Sequence, residues 1–520
     1  MRFVKHLLLA STAGLLLVGA AQAADLPTNK TPPAPPPTNC YASFYSWLDS
    51  TAADCPLSYM GITVYGTVDM GGGYETNASR FNDAYPNGVN ELISKMSNGG
   101  RWQAVPNGLA QSNIGVKIKE QIAADWYVIG DVNAGFDPYS MMFANGPQSA
   151  VMNNYTYQYL QTANADSSRA WGWDNTRAYV GIQNTTLGTL TFGRQYAFTN
   201  DASANYDPFG GSYAFSLIGN SGTALAGTGD TETARYMTSV KYQVAYNGFR
   251  AGGLVQVGGY DADNSSKEAA QADLGFDYAG LSVDAMYAYA QDAISLGTYG
   301  SIATFGVLAG DPTDTLKATL QNINAEVIAA KYKWNALTLF GGYEHSQLSN
   351  PTDAWATAAE AGAGLFMNHL NGGYPGVIQS DAYPNDKILQ VLWVGAKYGI
   401  LSNLDVVGGY YYEWQNNYTG AITKYNLPYV WAAGVKPGTA AGIGCAANPQ
   451  QPGPGLTPQG TNSSQCAGST WAVSGMLDWR PVKRVDLYAG VMYSKVTGGM
   501  ASGFLQNNNV ATTAGVKVSF

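Results

Sequence analysis

The stretch Val510-Ala-Thr-Thr-Ala-Gly-Val-Lys-Val-Ser-Phe520 decides the fold. Val510, Thr512, Ala514, Val516, Val518 and Phe520 share one parity; Ala511, Thr513, Gly515, Lys517 and Ser519 share the other. Such alternation sets a mostly apolar face against a small or polar one, the pattern of a half-buried strand. Termini of soluble domains usually fray and are polar. A half-apolar strand that stops on an aromatic ring needs a clamp. A closed barrel in a membrane supplies one, because closure leaves no sheet edge. The strand is expected to pair with the one near Met60, its apolar parity facing lipid.

The other end of the chain points to the same compartment. Met1-Arg-Phe-Val-Lys5-His is a basic head, Leu7 to Ala21 an apolar core, and Ala21-Gln22-Ala23 a small-x-small cleavage site. Residues 1–23 therefore read as a signal peptide. Beyond it no run of about 18 apolar residues predicts a transmembrane helix. Residues 24–58 read as a Pro-rich periplasmic tether with a cysteine pair, and 59–520 as a transmembrane β-barrel.

Composition supports a barrel. Charged residues make up 12%, about half the usual share, beside 62 Gly and 36 Tyr. A lipid-facing wall carries almost no charge, and its interface bands favour Tyr and Trp. The formal charge is −9. Losing Arg2 and Lys5 with the leader leaves 25 basic against 36 acidic residues, or −11. With no basic stripe, nucleic acid is excluded as a partner. The four cysteines, Cys40, Cys55, Cys445 and Cys466, favour disulfides in an exported chain, with neighbour pairing the simplest of three connectivities. Free thiols or a metal site are the alternative, without a Cys-x-x-Cys or clustered His to support it.

Alternation starts at Met60 and recurs near 113–119, 126–137, 177–183, 189–196, 236–246, 249–259, 272–279, 281–291, 324–334, 337–346, 387–398, 403–414, 470–480, 484–495 and 510–520. That makes about sixteen strands of an all-β, antiparallel up-and-down barrel. Short connections alternate with long ones, as they do between the two sides of an outer membrane. The polar parity would line a water-filled bore with Asp69, Lys117, Lys119, Asp131, Arg177, Lys241, Arg250, Asp273, Asp277, Asp284, Asp478 and Asp486.

Catalytic patterns are scarce. Past the leader the histidines are His345 and His369, in no His-x-x-x-His pair; no phosphate-binding loop or Gly-x-Ser-x-Gly elbow occurs. The chain is read as a non-enzyme that needs no cofactor.

Several segments carry a resemblance. Tyr65-Gly-Thr-Val-Asp69, Arg177-Ala-Tyr-Val-Gly181, Leu187-Gly-Thr-Leu-Thr-Phe-Gly-Arg194-Gln195, Asp207-Pro-Phe-Gly-Gly211, Arg235-Tyr-Met-Thr-Ser-Val-Lys241-Tyr242 and the terminal Phe520 resemble, in this order, the general diffusion porins of Gram-negative outer membranes, in an alphaproteobacterial style. Ala24-Asp-Leu-Pro27 and the cysteine pair before the first strand fit the same group. The resemblance implies a homotrimer of sixteen-stranded barrels, each with a constriction loop folded into its lumen. By position that loop is about Phe198 to Ala234, with acids Asp201, Asp207, Asp230 and Glu232. The facing bases would be Arg194 and Arg235, then Arg177 and Lys241. Strict parity sets Arg194 with Leu190 and Phe192, which face lipid, so it needs a bulge, or a position past the bilayer, to turn inward. The function implied is passive diffusion of small hydrophilic solutes and ions through the outer membrane, with membrane lipid as the surrounding partner. A substrate-specific channel, or a structural or enzymatic barrel, is the alternative.

Overall fold

A β-strand in lipid must pair both edges, so alternating strands with no helix to shield them close on one another. The computed structural model describes residues 39–77, 99–139, 141, 177–220, 235–257, 268–296, 318–349, 365–367, 378–380, 385–418, 466–501 and 506–520. The proposed leader and the Pro-rich part of the tether lie outside these residues.

The wall strands are β1 (Ile62–Glu75), β2 (Arg101–Pro106 continued by Asn113–Ala123), β3 (Trp126–Gly135), β4 (Arg177–Asn184), β5 (Gly188–Tyr196), β6 (Arg235–Tyr246), β7 (Phe249–Val257) and β8 (Glu268–Tyr278). They continue as β9 (Leu281–Leu296), β10 (Ala318–Trp334), β11 (Leu337–Ser349), β12 (Lys387–Leu401), β13 (Leu404–Gln415), β14 (Gly468–Val482), β15 (Val485–Gly498) and β16 (Asn508–Ser519). The closed sheet is antiparallel with sixteen staves. Two further pieces of the eighteen in the sheet fit within this count. One is half of the interrupted β2; the other is Leu57–Tyr59, a hairpin arm on β1.

Closure runs through β1 and β16, in register from Thr67↔Ser519 to Glu75↔Ala511. Phe520 extends the seam by exchanging backbone bonds with Gly66, at 2.9 and 3.0 Å. Leu57–Tyr59 then pairs with Ile62–Val64, on the part of β1 that Phe520 does not reach. The terminal strand therefore sits where its parity placed it: Val516 is exposed outward, while Lys517 turns inward to Asp486 at 3.1 Å.

Outward positions form an apolar belt, with Ile62, Val64, Val116, Ile118, Val180, Phe192, Leu274, Ile328, Val394, Leu477 and Val491 exposed. Such exposure would be untenable in water and is what a lipid-facing surface requires. Rings gather near strand ends: Tyr410 with Trp471 at 6.4 Å, Trp471 with Tyr493 at 5.2 Å, and Tyr412 with Trp414 at 5.3 Å.

Two features depart from the expected pattern. β2 begins at Arg101, inside a stretch read as loop, and breaks at 107–112. The break is held by Asp69, whose Oδ2 accepts from the N–H groups of Leu109 and Ala110, both at 2.7 Å. The inner face is also not uniformly polar. On β9 to β15, Ala288, Ala290, Ile323, Ala325, Val327, Leu389, Val391, Trp393, Ala472 and Met492 are buried in one apolar cluster.

Before the barrel, helix α1 (Phe44–Leu48) is closed by the Cys40–Cys55 disulfide. Arg484, in the turn between β14 and β15, donates to the carbonyls of Trp47, Thr51 and Cys55 at 2.9, 3.0 and 2.6 Å. Its guanidinium lies 4.2 Å from the Trp47 ring centre. Cys466 is also disulfide-bonded, and Cys445 lies outside the described residues.

Candidate functional site

The site is built by the β5–β6 connection, described as far as residue 220. Its first element is helix α2 (Phe198–Tyr206), which buries Phe198, Thr199, Ala202, Ser203 and Tyr206. The i, i+4, i+8 spacing of Phe198, Ala202 and Tyr206 puts an apolar stripe against the wall. Asp201 in the first turn suits the positive end of the helix dipole. The helix ends at Asp207, because Pro208 cannot supply the next N–H and disfavours helical backbone before it.

The loop is stitched to the inner wall along its course. Phe198 N–H donates to Gln271 on β8 at 2.7 Å. The Tyr206 hydroxyl bonds Ser282 at 3.0 Å and donates to Asp284 on β9, while its carbonyl accepts from Trp393 Nε1 on β12 at 3.0 Å. Phe209 packs 5.9 Å from Phe215, which meets Tyr488 of β15 edge-on at 6.1 Å. Pro208 fits because β12 has Gly395 beneath it, where a Cβ would lie 2.5 Å from the proline ring. The loop lands on the break in β2: Ser212 Oγ and Ala214 N–H both donate to the Gly108 carbonyl, at 2.7 and 2.9 Å, and Tyr213 bonds Gln111 at 3.2 Å. The loop thus starts at β5, follows the inner face over β8 to β15, and returns to β2. Among the described residues it covers the apolar inner cluster and leaves open the polar face of β1 to β4.

That open face holds Tyr65, Lys117, Lys119, Asp131 and Arg177, on the parity opposite Val64, Val116 and Val132. Arg177 Nε donates to Asp131 at 2.8 Å, and Nη2 to the Tyr65 hydroxyl at 3.1 Å.

The expected site residues divide. Lys241 and Asp201 come together at 3.3 Å, a wall base against a loop acid. Lys241 also donates to the Tyr196 carbonyl at 3.0 Å and lies 4.2 Å from the Phe198 ring centre. Burial pushes the Asp201 carboxyl up from its ordinary value, and Lys241 pulls it down. Arg177 serves a wall acid, Asp131. Arg194 is buried at a bulge where the β5–β6 register shifts between Gly193 and Gln195, with Gly193 at φ +131. The bulge takes it off the row of exposed Phe192.

Asp207 corrects the expectation. Among the described residues it faces no base: buried in the loop turn, it accepts from the Tyr411 hydroxyl of β13 and from the N–H groups of Phe209 and Gly211 at 3.1 and 2.8 Å. It anchors the loop. Asp230 and Glu232 lie outside the described residues, as does the side chain of Arg235.

Sequence reasoning missed the anchors Tyr411, Trp393 and Tyr488. Their signal was available: Trp393 and Tyr411 sit on the inward parity of strands already apolar outward. A strand apolar on both faces must be covered on both.

Comparison with known proteins agrees with this architecture. An outer membrane porin protein of Bordetella pertussis is 25% identical over 200 residues, 37% of this chain and 41% of that protein. The chain thus matches less than half the length of that relative. An anion-selective porin from Comamonas acidovorans has a TM-score of 0.50 at 12% identity, over 88% of this chain and 99% of that one. A loop L8 deletion mutant of the Vibrio cholerae outer membrane protein OmpT gives 0.49 at 13%, over 88% and 99%. The Comamonas likeness bears on the fold alone. The model of the Gram-negative porin family matches residues 10–499, nearly the whole chain, and the protein belongs to that family.

Proposed function

We propose that this protein is an outer-membrane porin through which small hydrophilic solutes and ions diffuse passively, assembled as a homotrimer. The observation that carries the reading is the inward loop. It is stitched over the apolar inner wall from β8 to β15, and it leaves a polar path along β1 to β4. A wide barrel is thereby narrowed without being sealed on that side. Asp201, Lys241 and Arg177 are proposed to set the field at the narrowing, with Arg194, Arg235, Asp230 and Glu232 carried over from the family pattern. Asp207 leaves that set and becomes the loop's anchor. Residues 1–23 are proposed as the export leader and 24–58 as the periplasmic lead-in.

The test is single-channel conductance of the purified full chain in planar bilayers, with a size series of neutral solutes. Step conductances in threes, with a sharp size cut-off, are expected. No conductance from folded protein would refute the reading, and saturable block by one neutral solute of the series would favour a substrate-specific channel.

A further inference from the structure

Lys117 and Lys119 share a parity on β2 and point into the bore, about 7 Å apart along the strand. Both are exposed. The Lys117 ammonium lies 4.3 Å from the centre of the Tyr65 ring, and that of Lys119 4.7 Å from the centre of Tyr127. Among the described residues neither enters an ion pair.

The acids around them are engaged elsewhere. Asp131 stands opposite Lys117 in register, but its Oδ2 takes Arg177 at 2.8 Å and its Oδ1 takes the Tyr65 hydroxyl at 2.5 Å. Asp69 is fully buried, bonding the β2 break and Tyr488. Asp201 is held by Lys241. Several other inner-wall cations are matched: Arg250 by Asp277 and Asp284, Arg480 and Lys397 by Asp405, Lys517 by Asp486. On the open face two positive charges therefore stay uncompensated, although the whole chain carries −9. A permeating ion responds to charges within a Debye length, about 8 Å in physiological salt, so these two outweigh acids on distant loops.

We infer that Lys117 and Lys119 form an anion station on the open wall, which makes the channel prefer small anions, with short dicarboxylates the best fit. A tyrosine face behind each ammonium holds the cation in place while its outer side stays in water. Two ammoniums at this spacing can engage both carboxylates of a short diacid at once, whereas a monocarboxylate meets one at a time. This inference rests on the porin reading and adds its solute class.

The test uses the full chain in planar bilayers under a tenfold KCl gradient. A charge about 7 Å from the ion path, screened over a Debye length of about 8 Å, raises local anion and lowers local cation concentration by about 1.5-fold each. The wild type is expected to give a reversal potential of anion sign. Lys117→Gln/Lys119→Gln should lower the chloride-to-potassium permeability ratio about twofold per lysine. Lys117→Glu/Lys119→Glu should carry it to cation sign, and Lys117→Arg/Lys119→Arg should leave it in place. Succinate should reduce chloride current at concentrations where acetate does not, and the Gln variant should lose that difference. A cation-selective wild type, an unmoved reversal potential in the conducting Glu variant, or equal effects of acetate and succinate would overturn the proposal. Absence of any conductance in the wild type would instead overturn the porin reading.

Discussion

Replacing Asp207 tests whether the loop is held by a single buried carboxylate. Its two oxygens accept from Tyr411 Oη, the N–H groups of Phe209 and Gly211, and the Ser216 side chain. Asp207→Ala orphans these donors, at about 1–3 kcal/mol for each that bore water does not reach. Asp207→Asn is gentler. Its amide oxygen can accept the two backbone donors while its NH2 donates to Tyr411, and removing a charge that burial disfavours offsets the lost charge assistance, so docking is not weakened. The barrel wall is untouched in both. Protonation has a definite sign as well. Burial pushes the Asp207 carboxyl up to about 6, against the lowering by Tyr411 and the backbone donors. An undocked loop would keep an ordinary carboxylate value, about 3.9. Docking therefore takes up a proton and strengthens as pH falls from about 6 towards 4, by roughly 3 kcal/mol in all. Single-channel recording checks both points. Asp207→Ala should show a larger exclusion limit and noisier open current, Asp207→Asn should lie near wild type, and wild-type current should be quieter at pH 5 than at pH 7.5. An Asp207→Ala channel with wild-type noise and cut-off would refute the anchor.

Gly66→Ala should block assembly, since its Cβ would overlap the Phe520 ring and lie 2.6 Å from the Asn113 carbonyl; heat-modifiable migration on gels is the readout. Deleting Phe520 should fail in the same assay by removing the two backbone bonds to Gly66. Val394→Arg puts a charge on the lipid face of β12 and should cost about 2–4 kcal/mol in unfolding from bilayers, depending on depth. Arg484→Ala removes donors from three carbonyls of the disulfide-closed segment, so limited proteolysis should cut within 39–58 sooner while the barrel stays intact.

Strand positions were legible because a lipid-facing wall imposes a strict two-residue period, and a charge on the wrong parity would be costly. The seam was legible for the same reason: Val516 and Lys517 cannot exchange faces. The bulge at Arg194 was legible as a conflict between its charge and its row, and Gly193 was the residue able to resolve it. The break in β2 was not, since it depends on Asp69, about forty positions upstream, accepting two N–H groups that leave the ladder. Asp207 was misassigned for a related reason. Its partner Tyr411 lies 204 residues away, and an acid in a loop looks the same whether it faces water or a buried hydroxyl.

The largest gap lay in treating the inner face as one surface. Parity distinguishes lipid from not-lipid, and not-lipid includes both water and protein. On β10, Ile323, Ala325 and Val327 point inward and are buried, while Ile328 points outward and is exposed. Those inward residues would oppose a hydrated bore but suit a wall that something packs against. On β1 to β4 the inward positions are Tyr65, Lys117, Asp131 and Arg177, which suit water and would oppose burial under an apolar loop. The inner wall therefore specifies where the loop can lie, before any loop contact is considered. Phe198, Phe209 and Phe215 join an apolar cluster drawn from β7 to β15, with Leu109 at the β2 break, and the solute path is left to the side where the lysines stand.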